Sequence, residues 1–457
     1  MKPISRFHFL YSFQYIRYAF FLSVLPLVRA LLVFDLPSLF TALKQDGIIF
    51  IVVAIFSFAQ WKAAGYRCGK ERIFVEQGVL FHRQLIISRR AVAAIQLKQP
   101  LYARIFGACL LTIYFKQQKK QVSYWLFRKD AATLVHLLLP INRHDNIFRP
   151  VGSERLSFSL LSANLITTGV LLAASARKTT ELLGDDFNRF AFSNLERLEQ
   201  LLEALFPVSA AWIATFIFVL VSIAVGYSFL HTAGFEVCRN GGVIVARGGL
   251  ITKTERRILA SAVTACDVRT TPFSRILRRS PVYLHAGGFS GNDMPLMVYR
   301  KGCEQQLERL MPEFRLAPLT LAPVRGRSLM QFLWMPGTFF LLFASLAGVA
   351  AWLMPDMAPF FSLPAFLCLL STLISVEGFF LETVHQTNNR TLQLCFTRFL
   401  TRHRVCVFGA QAGYRFTQNP LLYYNRRCNF RLRLPCGLQF RVRGMPDNII
   451  DQLPMVV

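Results

Sequence analysis

The chain has 457 residues, of which 53% are hydrophobic and only 17% charged, and its mean hydropathy of +0.39 is unusual for a soluble protein of this size. Lys and Arg outnumber Asp and Glu by 52 to 25, so the net charge is +27 and an anionic membrane surface or another acidic partner is expected. The ten cysteines form no CxxC pair, which argues against a disulfide framework and favours a reducing compartment.

Six apolar segments are candidate membrane spans, because a spanning helix needs about 20 mostly apolar residues. They fall in three pairs, at residues 18–34 and 47–61, 156–175 and 210–230, and 332–353 and 360–376. The first pair is the weakest, since its first member contains Pro26 and Arg29 and its second member is short. No cleavage site of a signal peptide follows the basic N-terminus, so we expect the first segment to be retained as an anchor.

The charges between these segments predict which side each stretch faces. Residues 62–155 hold 17 basic and 5 acidic side chains, residues 231–327 hold 15 and 7, and residues 383–457 hold 11 and 2. Residues 177–206, inside the second pair, hold 4 basic and 6 acidic side chains. By the positive-inside rule, both termini and the three large polar stretches face the cytoplasm.

The large stretches repeat one pattern, which divides the chain into six predicted domains. Short runs of β-branched and aromatic residues, broken at Gly and Pro, predict antiparallel strands. Helix-like stretches at residues 128–140, 300–312 and 447–454 follow the strands and stop at proline. The predicted domains are transmembrane pairs at 1–63, 156–231 and 329–382, each followed by a β-rich unit, at 64–155, 232–328 and 383–457.

This arrangement predicts an α+β membrane protein with six transmembrane helices in three pairs. Each pair is followed by a cytoplasmic unit of about seven short strands and one amphipathic C-terminal helix, which is the pleckstrin-homology (PH) arrangement. The residues that carry a family resemblance are the Gly78 turn, the pair Ile95-Gln96, and the block from Gln99-Pro100 to Arg104-Ile105-Phe106-Gly107.

With these residues the chain resembles bacterial membrane proteins of the YdbS/YdbT type, which carry PH domains of the second bacterial class. The three-copy layout resembles the YdbT form. The second unit departs from the pattern, with Ala265-Cys266 in place of the Ile-Gln pair and Arg278 in place of the glycine, and the third unit lacks both features. The resemblance implies a bacterial inner-membrane protein with cytoplasmic PH-like barrels or sandwiches, no enzymatic activity and no established ligand.

Signals for catalysis, cofactors and metal ions are poor. None of the eight histidines forms an HExxH motif or a close pair, and no phosphate-binding glycine loop is present. Cys395, Cys406, Cys428 and Cys436 are widely spaced and are interpreted as buried packing residues. We therefore predict no catalytic, cofactor-binding or metal-binding residue.

Basic clusters in the predicted strands and turns are the best candidates for a functional surface. They comprise Arg89, Arg90, Lys98 and Arg104 with the adjoining Gln99 and Pro100 in the first unit, Arg256, Arg257, Arg275, Arg278 and Arg279 in the second, and Arg426, Arg427, Arg431 and Arg433 in the third. Each Lys or Arg near an anionic leaflet contributes about 1 kcal/mol. The clusters either contact lipid head groups or an acidic protein, or only set the topology. Nucleic acid is not expected, because no aromatic platform accompanies the basic residues.

The leading functional hypothesis is an integral membrane scaffold or adaptor. Its three PH-like units would bind protein partners, or form a homo-oligomer, at the membrane surface. Two alternatives remain open. One is a transporter or exporter subunit that works through the six helices, and the other is a sensor of anionic lipid head groups.

Overall fold

The computed structural model describes residues 5–13, 51–69, 71–79, 82–141, 145–162, 208–300, 305–314, 327–388, 391–408 and 413–447, with a few isolated positions between them. The apolar segment predicted at 18–34, most of that at 156–175, and the final predicted helix at 447–454 lie outside the described residues. The chain divides into two compact units. The first comprises residues 1–145, 238–262 and 286–289, and the second comprises residues 146–237, 263–285 and 290–457.

The helices carry the following bounds. They are α1 (Ile51–Ala63), α2 (Leu101–Ile105), α3 (Arg128–Leu138), α4 (Ser153–Ser162), α5 (Val208–His231), α6 (Pro272–Ile276), α7 (Gln305–Leu310), α8 (Met330–Leu353), α9 (Ala358–Leu381) and α10 (Pro420–Tyr424).

The strands are short. They are β1 (Ser5–Arg6), β2 (Gly65–Cys68), β3 (Arg72–Gln77), β4 (Arg83–Ser88), β5 (Val92–Gln99), β6 (Ala108–Phe115), β7 (Gln121–Phe127), β8 (Asp145–Phe148), β9 (Glu236–Asn240), β10 (Val243–Gly248), β11 (Lys253–Leu259), β12 (Val263–Thr270), β13 (Arg279–Ala286), β14 (Phe289–Ser290), β15 (Met297–Arg300), β16 (Thr383–Asn388), β17 (Thr391–Arg398), β18 (Thr401–Phe408), β19 (Gly413–Thr417), β20 (Arg427–Arg433) and β21 (Gln439–Pro446).

Among the described residues, two helices are long and apolar enough to cross a membrane by length and composition, Met330–Leu353 and Phe360–Leu381. They match the third predicted pair and pack against each other across a short turn at Pro355–Met357. Only 6% of the apolar window of α8 is buried, so the described protein leaves most of that helix uncovered. Shorter apolar helices, Ile51–Ala63 and Phe218–His231, coincide with two further predicted segments. The full set of six spans stays a prediction.

In the first unit, two sheets enclose one hydrophobic core. One sheet has the order β1-β2-β3-β4, and the other contains the path β7-β6-β5-β11-β10-β9. Apolar residues alternate along the strands, so that Ile73 and Val75 of β3 and Leu111 and Ile113 of β6 point into the core. Helix α3 contributes Leu134, Val135 and Leu138 to the same core.

The second unit repeats this design. One sheet has the order β14-β13-β12-β18-β17-β16, with β15 paired to β13, and the other has the order β19-β20-β21. Side chains from both sheets, among them Leu394, Val405, Phe430 and Val442, form its core. The molecule is therefore a mixed α+β protein, as predicted, with several antiparallel sheets and two long apolar helices.

The sheets cross the boundaries between sequence repeats. Strand β5 of the first repeat pairs with β11 of the second, with Gln99 opposite Lys253 and Ala94 opposite Ile258. Strand β12 of the second repeat pairs with β18 of the third in the same antiparallel manner. The first and second repeats thus each complete a sheet with strands of the next repeat. These pairings cross the boundaries predicted at residues 155 and 328.

Candidate functional site

Most residues of the first predicted basic cluster have structural contacts. Arg104 Nη2 donates to the carbonyl oxygens of Leu250 and Ile251, at 2.5 and 3.1 Å, and so ties α2 to the loop before β11. Gln99 Nε2 donates to Ala108 O at 3.3 Å, and Pro100 is the residue that precedes α2. Lys98 is half-buried in β5 opposite Thr254.

Several arginines of the second and third clusters are buried. Arg257 forms an ion pair with Glu255, with 2.7 Å between Nε and Oε1, and donates from Nη1 to Leu139 O at 2.8 Å. Arg256 is buried on the same strand. Arg427 donates from Nη1 to Gly444 O at 3.2 Å, and burial lowers its pKa. These guanidinium groups stabilise the sheets and are poorly placed for a ligand.

Arg89 and Arg90 remain on the surface, where they line a cleft of about 740 Å³ in the first unit. Lys116 is the third cation of this cleft, and Glu71 its only lining acid. The backbone fixes the position of the cations, because Arg89 N donates to Glu71 O at 3.0 Å and Lys116 N donates to Ala91 O at 2.9 Å. Within the described residues, no acidic side chain forms an ion pair with any of the three. The cleft therefore suits an anionic group.

The rest of the cleft wall is apolar or backbone. It is lined by Leu138, Leu139, Pro140, Asn240, Gly241, Gly242, Val243 and Leu259. Gly241 and Gly242 of the β9–β10 turn form one side of the cleft. Lys116 was not among the sequence candidates, since it lies 26 positions after Arg90 and only the pairing of β5 with β6 brings it close.

Helix α6 lies beside the end of α9 in the second unit. A capping box begins it, with the Thr271 hydroxyl accepting from Ser274 N at 3.1 Å and the Ser274 hydroxyl accepting from Thr271 N at 2.8 Å. Arg275 in its last turn forms an ion pair with Glu377, near the end of α9. Arg402 of β18 pairs with the same carboxylate at 2.7 Å.

A second ion pair ties the same region to the start of α4. Arg279 Nη1 lies 3.6 Å from Glu154 Oε1. Helix α4 in turn packs on the end of α5, where the Ser228 hydroxyl donates to Ser159 O at 2.7 Å and the rings of Phe158 and Phe235 stack at 4.8 Å. The α6 region is therefore fixed at the ends of three apolar helices.

Equivalent short helices in the three repeats expose large apolar side chains. Ile105 of α2 is 76% exposed, Ile276 of α6 is 78% exposed, and Tyr424 of α10 is 88% exposed. Arg278 and Arg426, both exposed candidates, lie two residues after the ends of α6 and α10 and have a positive φ of 52° and 51°. The repeated Arg-Ile pair at positions 104–105 and 275–276 was the sequence signal for this feature. The sequence interpretation considered only its arginines.

A buried ionic cluster lies where β12 pairs with β18. Asp267 is fully buried between His403, with Nδ1 at 3.1 Å from Oδ2, and Arg269, with Nε at 2.8 Å. Burial opposes its ionisation, but the pKa of Asp267 lies below its usual value because these two partners face the carboxylate. Burial lowers the pKa of nearby His285 to about 4. The ion pair between Asp267 and His403 joins β12 to β18 and stabilises their junction.

The cysteines of the third repeat are buried in the core of the second unit. Burial raises the pKa of Cys395 and of Cys428 to about 11, and that of Cys406 to about 12. Their thiols are therefore protonated at neutral pH and pack as small apolar groups.

The family comparison matches two regions of the chain. A family model for the bacterial PH domain matches residues 20–140 and residues 194–310, which together cover more than half of the 457 residues. No curated protein and no solved structure matches the chain.

Proposed function

Because the chain belongs to the bacterial PH domain family, we propose that it is a membrane-anchored scaffold or adaptor with a binding role and no catalytic one. Bacterial PH domains are modules of protein or lipid interaction. In this proposal the apolar helices form six spans in three pairs, in the YdbT-like layout, within the bacterial inner membrane. The PH-like modules then face the cytoplasm and bind partners at the membrane surface.

One observation carries the proposal: α6 is fixed at the ends of apolar helices. Arg275 pairs with Glu377, four residues before the end of α9, and Arg279 pairs with Glu154 at the start of α4. If α9 spans the bilayer, α6 lies at the interface between lipid and water. Its exposed Phe273 and Ile276 then enter the head-group region, while Arg278 meets anionic lipid, which is how interfacial amphipathic segments bind.

The proposal can be tested by the depth of α6 in a bilayer. A fluorophore attached at Ile276→Cys in the full-length protein, reconstituted into vesicles, should be quenched by lipids brominated near the head group. The described native cysteines are buried or half-buried, and Cys303, which lies outside the described residues, is replaced by serine in the labelled protein. Glu313→Cys is the matched control, since Phe314 contacts Phe408 at the end of β18 opposite to Arg402 and α6. Equal quenching at both positions would overturn the proposed placement.

A second candidate function, sensing of anionic lipid head groups, is favoured by the cleft of Arg89, Arg90 and Lys116. Two cations at about 1 kcal/mol each correspond to roughly 30-fold in affinity. Full-length protein in uncharged detergent should therefore bind short-chain phosphatidylglycerol roughly 30-fold more weakly after Arg89→Gln with Arg90→Gln. Lys119→Gln with Lys120→Gln removes the same charge from the exposed β6–β7 loop and is the control. Equal losses in both double variants would show that the cleft has no special role.

A further inference from the structure

Three pairs of strands occupy equivalent positions in the three repeats. Strands β5 and β12 begin at Val92 and Val263, 171 residues apart, and each follows a three-residue 3-10 turn and precedes a short helix. Strand β19 likewise precedes the short helix α10. By the same comparison, β4, β11 and β18 are the strands that come just before β5, β12 and β19 in the chain.

The two junctions inside the chain obey one pairing rule. Ile95 of β5 lies opposite Arg257 of β11, and Cys266, which is the equivalent of Ile95, lies opposite Cys406 of β18. In both cases a strand of the β5 type pairs with the strand of the β4 type that belongs to the next repeat. The register is the same in both junctions, so the rule fixes which residues face each other.

Among the described strands, two of these types have no strand partner on one side. Among the described residues, β4 pairs only with β3, and β19 pairs only with β20. Ile86 of β4 is 54% exposed, whereas the residues at its position in the two junctions, Arg257 and Cys406, are 9% and 0% exposed. Arg415 of β19 is exposed, whereas Gln96 and Asp267 at its position are buried.

We propose that β4 of one copy of this chain pairs with β19 of a second copy, which repeats the internal junction between molecules. The rule places Arg83 opposite Thr417, Leu85 opposite Arg415 and Ile87 opposite Gly413. This inference rests on the proposed scaffold function and names its partner as a second copy. The contact joins two different surfaces, so it is heterologous and each copy offers one edge of each kind. Unpaired backbone groups at a strand edge are a template for such addition.

The side chains are compatible with this register. Neither arginine of the two edges faces another arginine, because Arg83 meets Thr417 and Arg415 meets Leu85. Both internal junctions have a polar or charged residue at the position equivalent to Arg415, namely Gln96 and Asp267. Burial of Ile86 removes an exposed apolar side chain from water, which favours association.

Cross-linking between two differently tagged full-length chains tests the proposal. One chain carries Arg83→Cys and the other Thr417→Cys, both at exposed positions that the rule places face to face. Directly opposite residues of an antiparallel pair have Cβ atoms close enough for a disulfide. Co-expressed and oxidised in membranes, this mixture should yield a disulfide-linked dimer that contains both tags.

Three comparisons make the outcome decisive. Thr417→Cys with Ile86→Cys is three residues out of register and should give no such dimer. Leu85→Arg added to the Arg83→Cys chain should reduce the cross-link, because the rule places it directly opposite Arg415 and like charges at opposite positions are destabilising. A cross-link between two Arg83→Cys chains, equal cross-linking in and out of register, or no cross-link between the mixed chains would overturn the proposal.

This test is independent of the proposed placement at the membrane. If the cross-link is absent but Ile276→Cys is quenched by lipid, only the self-pairing is wrong. If the cross-link forms but the label at Ile276 is not quenched, the self-pairing stands and the membrane placement of α6 fails.

Discussion

Replacing Glu382 should destabilise the junction between the last apolar helix and the third repeat. Glu382 lies between α9 and β16 and its side chain is fully buried. Its Oε1 accepts from Thr397 N at 3.2 Å, from the Thr397 hydroxyl at 3.0 Å and from Arg443 Nη2 at 2.6 Å. Its Oε2 accepts from Arg443 N at 2.9 Å. Every one of these neighbours is a donor, so the site has room for an acceptor only.

Glu382→Gln lowers the free energy of unfolding because it leaves buried groups without their partner. The amide keeps the shape but turns one acceptor into a donor, and Arg443 loses the anion that balances its charge. Removal of one partner of a buried ion pair costs about 3–5 kcal/mol. Arg327, which donates to Glu382 O at 2.9 Å and to Arg443 O at 2.7 Å, depends on the same arrangement. A loss of this size lowers the melting temperature by roughly 10 °C.

Thermal unfolding of the full-length protein in mild detergent measures this effect. Glu308→Gln, at an exposed carboxylate on α7, is the matched control and should leave the melting temperature unchanged. The double variant Glu382→Gln with Arg443→Met should be destabilised by less than the sum of the two single variants, since both remove the same pair. A Glu382→Gln variant with the same melting temperature as the Glu308→Gln control would refute this prediction.

Two further predictions concern the other buried sites. Burial lowers the pKa of His285 to about 4, so below about pH 6.5 the unfolded chain takes up a proton that the folded protein excludes. The free energy of unfolding should therefore fall by about 2 kcal/mol from pH 7 to pH 5. His285→Asn should remove that part of the loss in pH-dependent melting curves. No difference between the pH profiles of the two proteins would contradict this. Gly287→Ala should lower the melting temperature, because φ is +50° there and a Cβ would lie 2.6 Å from Phe115 O and 2.7 Å from Lys116 Cα, at a cost above about 1 kcal/mol. Gly242→Ala, whose Cβ meets no atom within 4 Å, is the control, and equal melting of both variants would show that Gly287 has no special role.

The repeated elements could be predicted from local patterns. Alternating apolar residues indicated the strands, and uncharged runs indicated α5, α8 and α9 close to their observed bounds. Pro100 precedes α2, whereas Pro272 is the first residue of α6. Proline is favourable at both positions, so the residue type alone did not fix the register.

The joining of sheets between repeats could not be read from the sequence. It depends on which edge strands meet, and the partners β5 and β11 are separated by more than 150 residues. The roles of the basic residues depend on such contacts too. Arg257 is buried because α3 of the preceding repeat ends beside it at Leu139, and no pattern near Arg257 indicates this. Arg89 and Arg90 are exposed beside Lys116 in one cleft, and Arg275, Arg278 and Arg426 are also exposed, as a lipid or partner surface requires.

Membrane topology tests the central claim of a membrane-anchored protein with cytoplasmic PH modules. A reporter that is active only in the cytoplasm, fused after Lys120, Ser290 or Phe440, should be active at all three positions, since the surrounding stretches carry an excess of basic residues. The same reporter fused near Asp186, in the acidic stretch between two predicted spans, should be inactive. An active reporter near Asp186, or an inactive one at any of the other three positions, would contradict the account.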